Sequence, residues 1–271
     1  HGNGPQVGKK LAESEAAGES KSIAACTAET QIEIGETLKA AIEREIHGRQ
    51  EHVFYTPITV VPTRVIVKPG DPAFKNPTKY IGRDFPEDAA GKELNARPDG
   101  LFDWPRGNAL WTMKRVPDKP GMVRRVVPSP KPIGIHPEDL AAVRRAVFIG
   151  KLVIAAGGGG VPIFPDGSYA EAVIDKDLAT ALLCREVTAR RLIISTGVQH
   201  VSHFYNTPDQ KDIRYYQLAH ARRHLIKGQY PEGKMGEKIE AAINWNRKIS
   251  AAGILTCRRT IAGVKTLLSS C

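Results

Sequence analysis

The chain has 271 residues, 41% hydrophobic and 25% charged, a balance that fits one large globular domain and excludes wholesale disorder. Lys and Arg outnumber Asp and Glu by 39 to 29, a formal charge of +10 that favours anionic ligands. No apolar run approaches the ~18 residues of a membrane-crossing helix, so no membrane association is expected.

The chain opens on His1 rather than Met, which reads as a fragment whose targeting segment, if any, is out of view. His1 to Pro5 reads as a loop leading into a helix over Val7 to Ala17. A second helix is predicted over Ser22 to Ile46, where Ile34, Leu38, Ile42 and Ile46 form an amphipathic face. Ile58 to Val67 is rich in β-branched residues and reads as one strand, with Pro62 marking an edge or a bulge. From Lys68 to Pro132 prolines crowd the chain. That stretch is too long for a plain connection, so residues 68–132 are expected to form a small flap standing off the core.

Alternation resumes beyond it. Helices are predicted over Pro137 to Ile149, Lys176 to Val187, Asp209 to Ile226 and Glu237 to Trp245. Strands are predicted over Leu152 to Ala156, Leu192 to Thr196 and Gly253 to Cys257, and a final helix over Arg258 to Leu268. Pro165-Asp166-Gly167 is a turn signal between two short strands. Alternating strands and helices imply an α/β protein with a mainly parallel sheet covered on both faces.

Three glycine segments carry the chemistry. Gly2-Asn3-Gly4 precedes a helix, Gly157 to Gly160 follows a strand, and Gly233 to Gly236 precedes a helix. Phosphate recognition needs many N–H donors close to one anion, which glycine permits and a helix N-terminus favours. Phosphoryl transfer also needs cations where charge accumulates. Lys238 follows the third glycine segment. Lys176, in Asp175-Lys176-Asp177, reads equally as a surface ion pair or as a cation reaching into a cleft. No Walker A, protein-kinase or nucleophile-elbow motif occurs.

The paired basic residues, such as Arg124-Arg125 and Arg222-Arg223, form no single tract with interleaved aromatics, so nucleic acid ranks well behind a small anion. The four cysteines, Cys26, Cys184, Cys257 and Cys271, have no disulfide or zinc spacing and read as reduced thiols. The pairs His200/His203 and His220/His224 have spacings that suit a metal on one helix face, but they read as exposed histidines, and no metal ligand is assigned.

His1-Gly2-Asn3-Gly4-Pro5-Gln6-Val7-Gly8, Asp71 to Lys79 (DPAFKNPTK), Arg124 to Pro130, Gly157 to Pro162, Ala172 to Ala179, Tyr205 to Gln210 and Gly233 to Ile243 together resemble carbamate kinases, in the family's order and over almost the whole chain. The resemblance implies the amino-acid-kinase fold: a three-layer αβα sandwich with a mainly parallel sheet and a protruding subdomain. It implies ATP + carbamate = ADP + carbamoyl phosphate, reversible, with Mg²⁺, in a cytoplasmic homodimer that makes ATP during arginine or purine breakdown.

Carried over residue by residue, Lys176 and Lys238 match the lysines that neutralise the transferring phosphoryl group. Asp177 matches the aspartate that orients them, and Lys79 the subdomain lysine that closes over the small substrate. Gly2, Asn3 and Gly4 match the loop that cradles carbamate and phosphate. Gly157, Gly158 and Gly159 match the loop beside the nucleotide phosphates. Tyr205, Met235 and Gly236 match the nucleotide pocket.

The family places a strand and a Gly-Gly-Asn-Ala-Leu loop before HGNG, so the resemblance implies an N-terminally truncated and somewhat divergent member. Lys234 stands where the family has serine. These departures leave an alternative beside the enzyme: a non-catalytic nucleotide- or partner-binding relative.

Overall fold

The computed structural model describes residues 1–19, 21–48, 56–90, 95–106, 109–198, 200–205, 207–230, 235–246, 253–257 and 264–269. The chain divides into two compact units, His1–Lys176 and Asp177–Cys271. Among the described residues, no helix is long and apolar enough to cross a membrane.

The first unit opens with α1 (Gly4–Ala16) and α2 (Ile23–Gly48). The helix begins earlier than the sequence suggests because Pro5 falls in its first turn, where a missing N–H costs nothing. Two short strands follow, β1 (Ile58–Val61) and β2 (Arg64–Val67). The single strand expected over Ile58 to Val67 is therefore corrected: the chain breaks at Pro62-Thr63, and its two halves join different ladders. β1 pairs in parallel with β9 (Leu152–Ala155), while β2 lies between β10 (Val161–Ile163), parallel, and β8 (Pro132–Ile135), antiparallel. Between β8 and β9 runs α4 (Pro137–Phe148), with Pro137 and two acids, Glu138 and Asp139, in its first turn. Asp139 accepts from the Arg64 backbone N–H at 2.7 Å and its guanidinium at 2.8 and 3.0 Å, fixing α4 to β2.

Inside the proline-rich interval, β3 (Lys79–Pro86), a short helix α3 (Glu87–Ala90), β4 (Asn95–Ala96), β5 (Phe102–Arg106), β6 (Ala109–Arg115) and β7 (Met122–Val127) form one antiparallel sheet, ordered β3-β7-β6-β5-β4. It has its own aromatic core: Phe102, Trp104, Trp111, Met113 and Val123, with Phe85 edge-on to Trp104 at 4.9 Å between ring centroids. Glu15 of α1 ties this sheet down. It accepts from Trp111 Nε1 at 2.9 Å and pairs with Arg125 at 3.3 Å, while the Arg125 guanidinium lies over the Trp111 ring. Burial pushes the Arg125 guanidinium below its ordinary value, against the pull of Glu15.

A closer weld joins α1 to β3. A Cβ on Gly8 would lie 2.1 Å from Gly82 Cα and 2.2 Å from Gly82 N. An alanine inside a helix ordinarily adds roughly 0.5–1 kcal/mol over glycine. Here the obstacle is backbone, which cannot swing aside, so Gly8→Ala is expected to lower stability by about 1–3 kcal/mol. A thermal melt checks the sign; an unchanged or higher midpoint would contradict the packing of α1 on β3.

The second unit contains α5 (Lys176–Glu186, its first residue contributed by the first unit), β11 (Leu192–Thr196), β12 (Val201–His203), β13 (Lys211–Ile213), β14 (Tyr215–Gln217), α6 (Leu218–Ile226), α7 (Met235–Asn246), β15 (Gly253–Cys257) and β16 (Val264–Ser269). Its sheet runs β11-β15-β16-β14, parallel at β11/β15 and β14/β16 and antiparallel at β15/β16. Leu178, Leu192, Ile194, Val201, Ile239 and Trp245 are among its core residues. Two expectations are corrected here. The helix foreseen over Asp209 to Ile226 forms only from Leu218, because Lys211–Ile213 pairs with β12 and Tyr215–Gln217 with β16. Val264 to Leu268, foreseen as helix, is strand, held by β15 on one side and β14 on the other.

Candidate functional site

In the first unit the two glycine loops interlock. The Gly158 N–H donates to the His1 carbonyl at 2.9 Å. Asn3, buried at the N-terminus of α1, donates from Nδ2 to Thr30 Oγ1 at 3.1 Å, and Thr30 donates onward to the Cys26 carbonyl at 2.8 Å. A Cβ on Gly157 would strike the His1 ring, and one on Gly158 the Asn3 carboxamide, each at 2.1 Å. Gly158, Gly159 and Gly160 take φ of 65°, 100° and 80°, a run that side chains resist. Gly4 begins α1, and Gly2 lies beside the aliphatic stem of Lys176, 3.8 Å from an added Cβ to Lys176 Cδ. The structure thus brings Gly2, Asn3, Gly4, Gly157, Gly158, Gly159 and Lys176 together in one region of the first unit.

Lys79 opens β3, and its ammonium donates to Asp175 Oδ2 at 2.6 Å. Asp175 is buried. In the sequence Asp175 stands out only as a neighbour of Lys176. Its signal was an acid flanking that lysine, but its partner lies 96 positions away, beyond the reach of local pattern.

In the second unit Lys238 donates to Asp177 Oδ2 at 2.8 Å, with side-chain exposures of 13% and 11%. The pair is nearly dry, so each charge depends on the other. Asp177 also sits in the first turn of α5, where the helix dipole favours an anion. Met235 begins α7 and packs against the core, and Gly236 is buried in the same turn. Tyr205 is exposed and follows Phe204, whose φ is 49°. Gly233, Lys234 and Asn206 lie outside the described residues.

His200 and His203 flank or end a strand rather than a helix, and His224 is half-buried. These replace the expectation of exposed helical histidines, which His220 alone meets. The Tyr216 hydroxyl lies 2.5 Å from both His224 Nδ1 and the Tyr230 hydroxyl, and the His203 and His224 rings meet edge to face at 4.3 Å. Burial, then the positive neighbours His203, His220, Lys227 and Arg223, hold the His224 imidazole below its ordinary value near 6.5. The unfolded chain therefore takes up this proton first. The stability from neutral His224 is present above about pH 6.5 and falls as the pH drops below it. His224→Asn keeps an acceptor for Tyr216 but does not titrate. Its denaturant midpoint is expected to fall less steeply than that of the parent as the pH drops below about 6.5; parallel curves would remove His224 as the cause.

Among the described residues the grouping with metal-ligand geometry is His136, Glu138 and Asp139. The Arg64 guanidinium already bonds both carboxylates, at 2.8 Å each, so the cation place is taken by arginine. Of the cysteines, Cys26 is buried and Cys184 half-buried, both free thiols that burial pushes up.

Compared with known proteins, the chain is 38% identical over 252 residues to carbamate kinase 2 of Enterococcus faecalis, covering 90% of this chain and 75% of that one. The chain belongs to the carbamate kinase family. It is also 37% identical over 256 residues to the carbamate kinase-like protein YahI of Escherichia coli, covering 90% of this chain and 74% of that protein. The solved carbamate kinase of Giardia lamblia, bound to AMP-PNP, is 28% identical with a TM-score of 0.80, over 100% of this chain and 83% of its own. No protein-family model matches the chain. The fold is accordingly the α/β amino-acid-kinase fold, and the carbamate kinase family is one of phosphotransferases.

Proposed function

We propose that this chain transfers a phosphoryl group between ATP and carbamate, ATP + carbamate = ADP + carbamoyl phosphate, and runs toward ATP in catabolism such as arginine breakdown. The observation that carries this reading is the packing of His1 to Gly4 against Gly157 to Gly160. The Gly158, Gly159 and Gly160 N–H groups hold the turn itself together, bonding the His1, Ala156 and Gly157 carbonyls, and the turn brings the N-terminus of α1 at Asn3-Gly4 to its side, an end suited to a phosphoryl group. Gly2, Asn3 and Gly4 hold the acceptor and its phosphate, and Gly157, Gly158 and Gly159 border the nucleotide phosphates. Tyr205, Met235 and Gly236 would serve the nucleotide, which would arrive as its Mg²⁺ complex, the metal supplying positive charge to the phosphates.

Transfer of this kind needs little covalent help. It needs the donor and acceptor oxygens in line and positive charge around the moving group. Lys176 and Lys238 supply that charge. Asp177 holds the Lys238 ammonium in one place, which the 2.8 Å bond between them supports. Lys79 comes from the antiparallel sheet that we read as the flap over the small substrate. Exchanging Asp175 for a substrate oxygen would let it follow the flap. We further propose a cytoplasmic homodimer, with small anionic substrates as its ligands.

The test is coupled ATP formation from carbamoyl phosphate and Mg-ADP. Turnover is expected. Silence with Mg-ADP still binding would overturn the reaction and leave a nucleotide-binding relative.

A further inference from the structure

We propose that Thr63 is a positioning residue that clamps both ends of the Gly157–Gly160 loop; this rests on the reading of that loop as a phosphate holder. Thr63 stands where β1 breaks from β2 and is 1% exposed. Every polar group it owns is engaged. Its hydroxyl oxygen accepts from the Ala156 N–H at 2.9 Å and donates to the Val61 carbonyl at 2.8 Å. Its carbonyl accepts from the Val161 N–H at 2.8 Å. Ala156 and Val161 are the residues immediately before and after the four glycines, so one buried threonine grips the loop at entry and exit.

The grip has something to resist. Ala156 sits at φ 51°, ψ 33°, the left-handed region that an alanine leaves readily unless its surroundings hold it. The bond from its N–H to the Thr63 hydroxyl is such a hold. At the far end, a Cβ on Gly160 would lie 2.8 Å from the Thr63 carbonyl and 2.5 Å from Val65 Cγ2, so the loop rests directly on β2.

Behind Thr63 stands Gln31 of α2, 2% exposed, whose Oε1 accepts from the Thr63 N–H at 3.0 Å. Gln31 Nε2 has no hydrogen-bond partner among the described residues. The chain of contact runs α2–Gln31–Thr63–loop, from a rigid helix to the backbone that meets phosphate.

The test compares Thr63→Val, which keeps the shape and loses the hydroxyl, with Thr63→Ser, which keeps it. Thr63→Val is expected to lower kcat for ATP formation about tenfold, a loss set by one hydrogen bond and a displaced loop. Thr63→Ser is expected to stay within about threefold of the parent, about half a tenfold step on the logarithmic scale. A purely structural role predicts something different: a loss that follows the melting midpoint whatever residue stands at 156. The clamp predicts that Ala156→Gly in the Thr63→Val background recovers most of the loss, because glycine takes the left-handed angles unaided. Thr63→Val at parental kcat, or no recovery with glycine at 156, overturns the proposal. Amide exchange supplies a readout independent of turnover. The N–H groups of Gly158 to Gly160 should exchange faster in Thr63→Val. If the parent makes no ATP, the phosphate reading fails by itself, and unchanged exchange then sinks the clamp as well, whereas faster exchange upholds it.

Discussion

Lys238→Met is expected to slow ATP formation from carbamoyl phosphate by roughly 10²–10³-fold and to lower the unfolding free energy by about 3 kcal/mol. The two losses have different origins. The rate falls because the proposed transition state loses a fixed positive charge, and a preorganised charge in a dry site counts for more than in water. The stability falls because the Asp177 side chain, 11% exposed, loses the ammonium 2.8 Å away. The first turn of α5 is a favourable neighbour, but a helix dipole offsets only about 0.3–1 kcal/mol. A second variant separates the two. Asp177→Asn combined with Lys238→Met removes the stranded charge, so it should melt near the parent while remaining as slow as Lys238→Met. Single-turnover rates and thermal melts on the parent, the single variant and the double variant check both parts. Parental turnover in Lys238→Met would remove Lys238 from the chemistry. A double variant as unstable as the single one would show that the buried pair is not what was lost.

The part of this site that was legible in the sequence is the part built from local pattern. The glycines after β9 are demanded by close approach, of the His1 and Asn3 side chains and of the Ile174 and Thr63 carbonyls, and they can be read without knowing what approaches them. The same holds for Asp177, which opens a helix three residues after an apolar run, and for Pro137 with Glu138 and Asp139 at the start of α4. What could not be read depends on partners far along the chain. The Lys79–Asp175 bond spans 96 positions and the Thr63–Ala156 bond 93. Gln31, in the middle of an amphipathic helix, looks like any other polar position until Thr63, in the break between β1 and β2, is packed on it. The misread strands fail for the same reason. Lys211–Ile213 and Tyr215–Gln217 are three residues each and run straight into helix α6. Their extended form is set by Val201–His203 and Leu267–Ser269, so no local period announces it. The break of Ile58 to Val67 at Pro62 was half legible. Proline marks the interruption, but only the separate ladders of β1 and β2 turn it into the place from which Thr63 reaches the glycine loop.

Gly158→Ala carries the second large effect, and its size follows from three additive obstacles. The residue sits at φ 65°, where an alanine costs roughly 1–2 kcal/mol. Its Cβ would land 2.1 to 2.2 Å from the Cγ, Nδ2 and Oδ1 atoms of Asn3. Asn3 is short, buried and bonded to Thr30, so it gives way only by breaking that bond, a further loss of about 1 kcal/mol, with overpacking on top. A total of about 2–4 kcal/mol is expected in denaturant unfolding. The catalytic effect should be larger in proportion, at least about 10²-fold in kcat/KM, since moving Asn3 displaces the loop proposed to hold the acceptor. Gly167→Ala isolates the backbone part. Gly167 also has positive φ, 87°, but nothing lies within 4 Å of its added Cβ, in the Pro165-Asp166-Gly167 turn. It should lose only the ~1–2 kcal/mol of the left-handed conformation and keep its turnover. If the two variants lose equal stability, the contact of Gly158 with Asn3 is looser than 2.1 Å implies. If Gly158→Ala turns over normally, the acceptor is not held where Asn3 and Gly158 meet, and the phosphate site must be sought on the other glycine segment, at the N-terminus of α7.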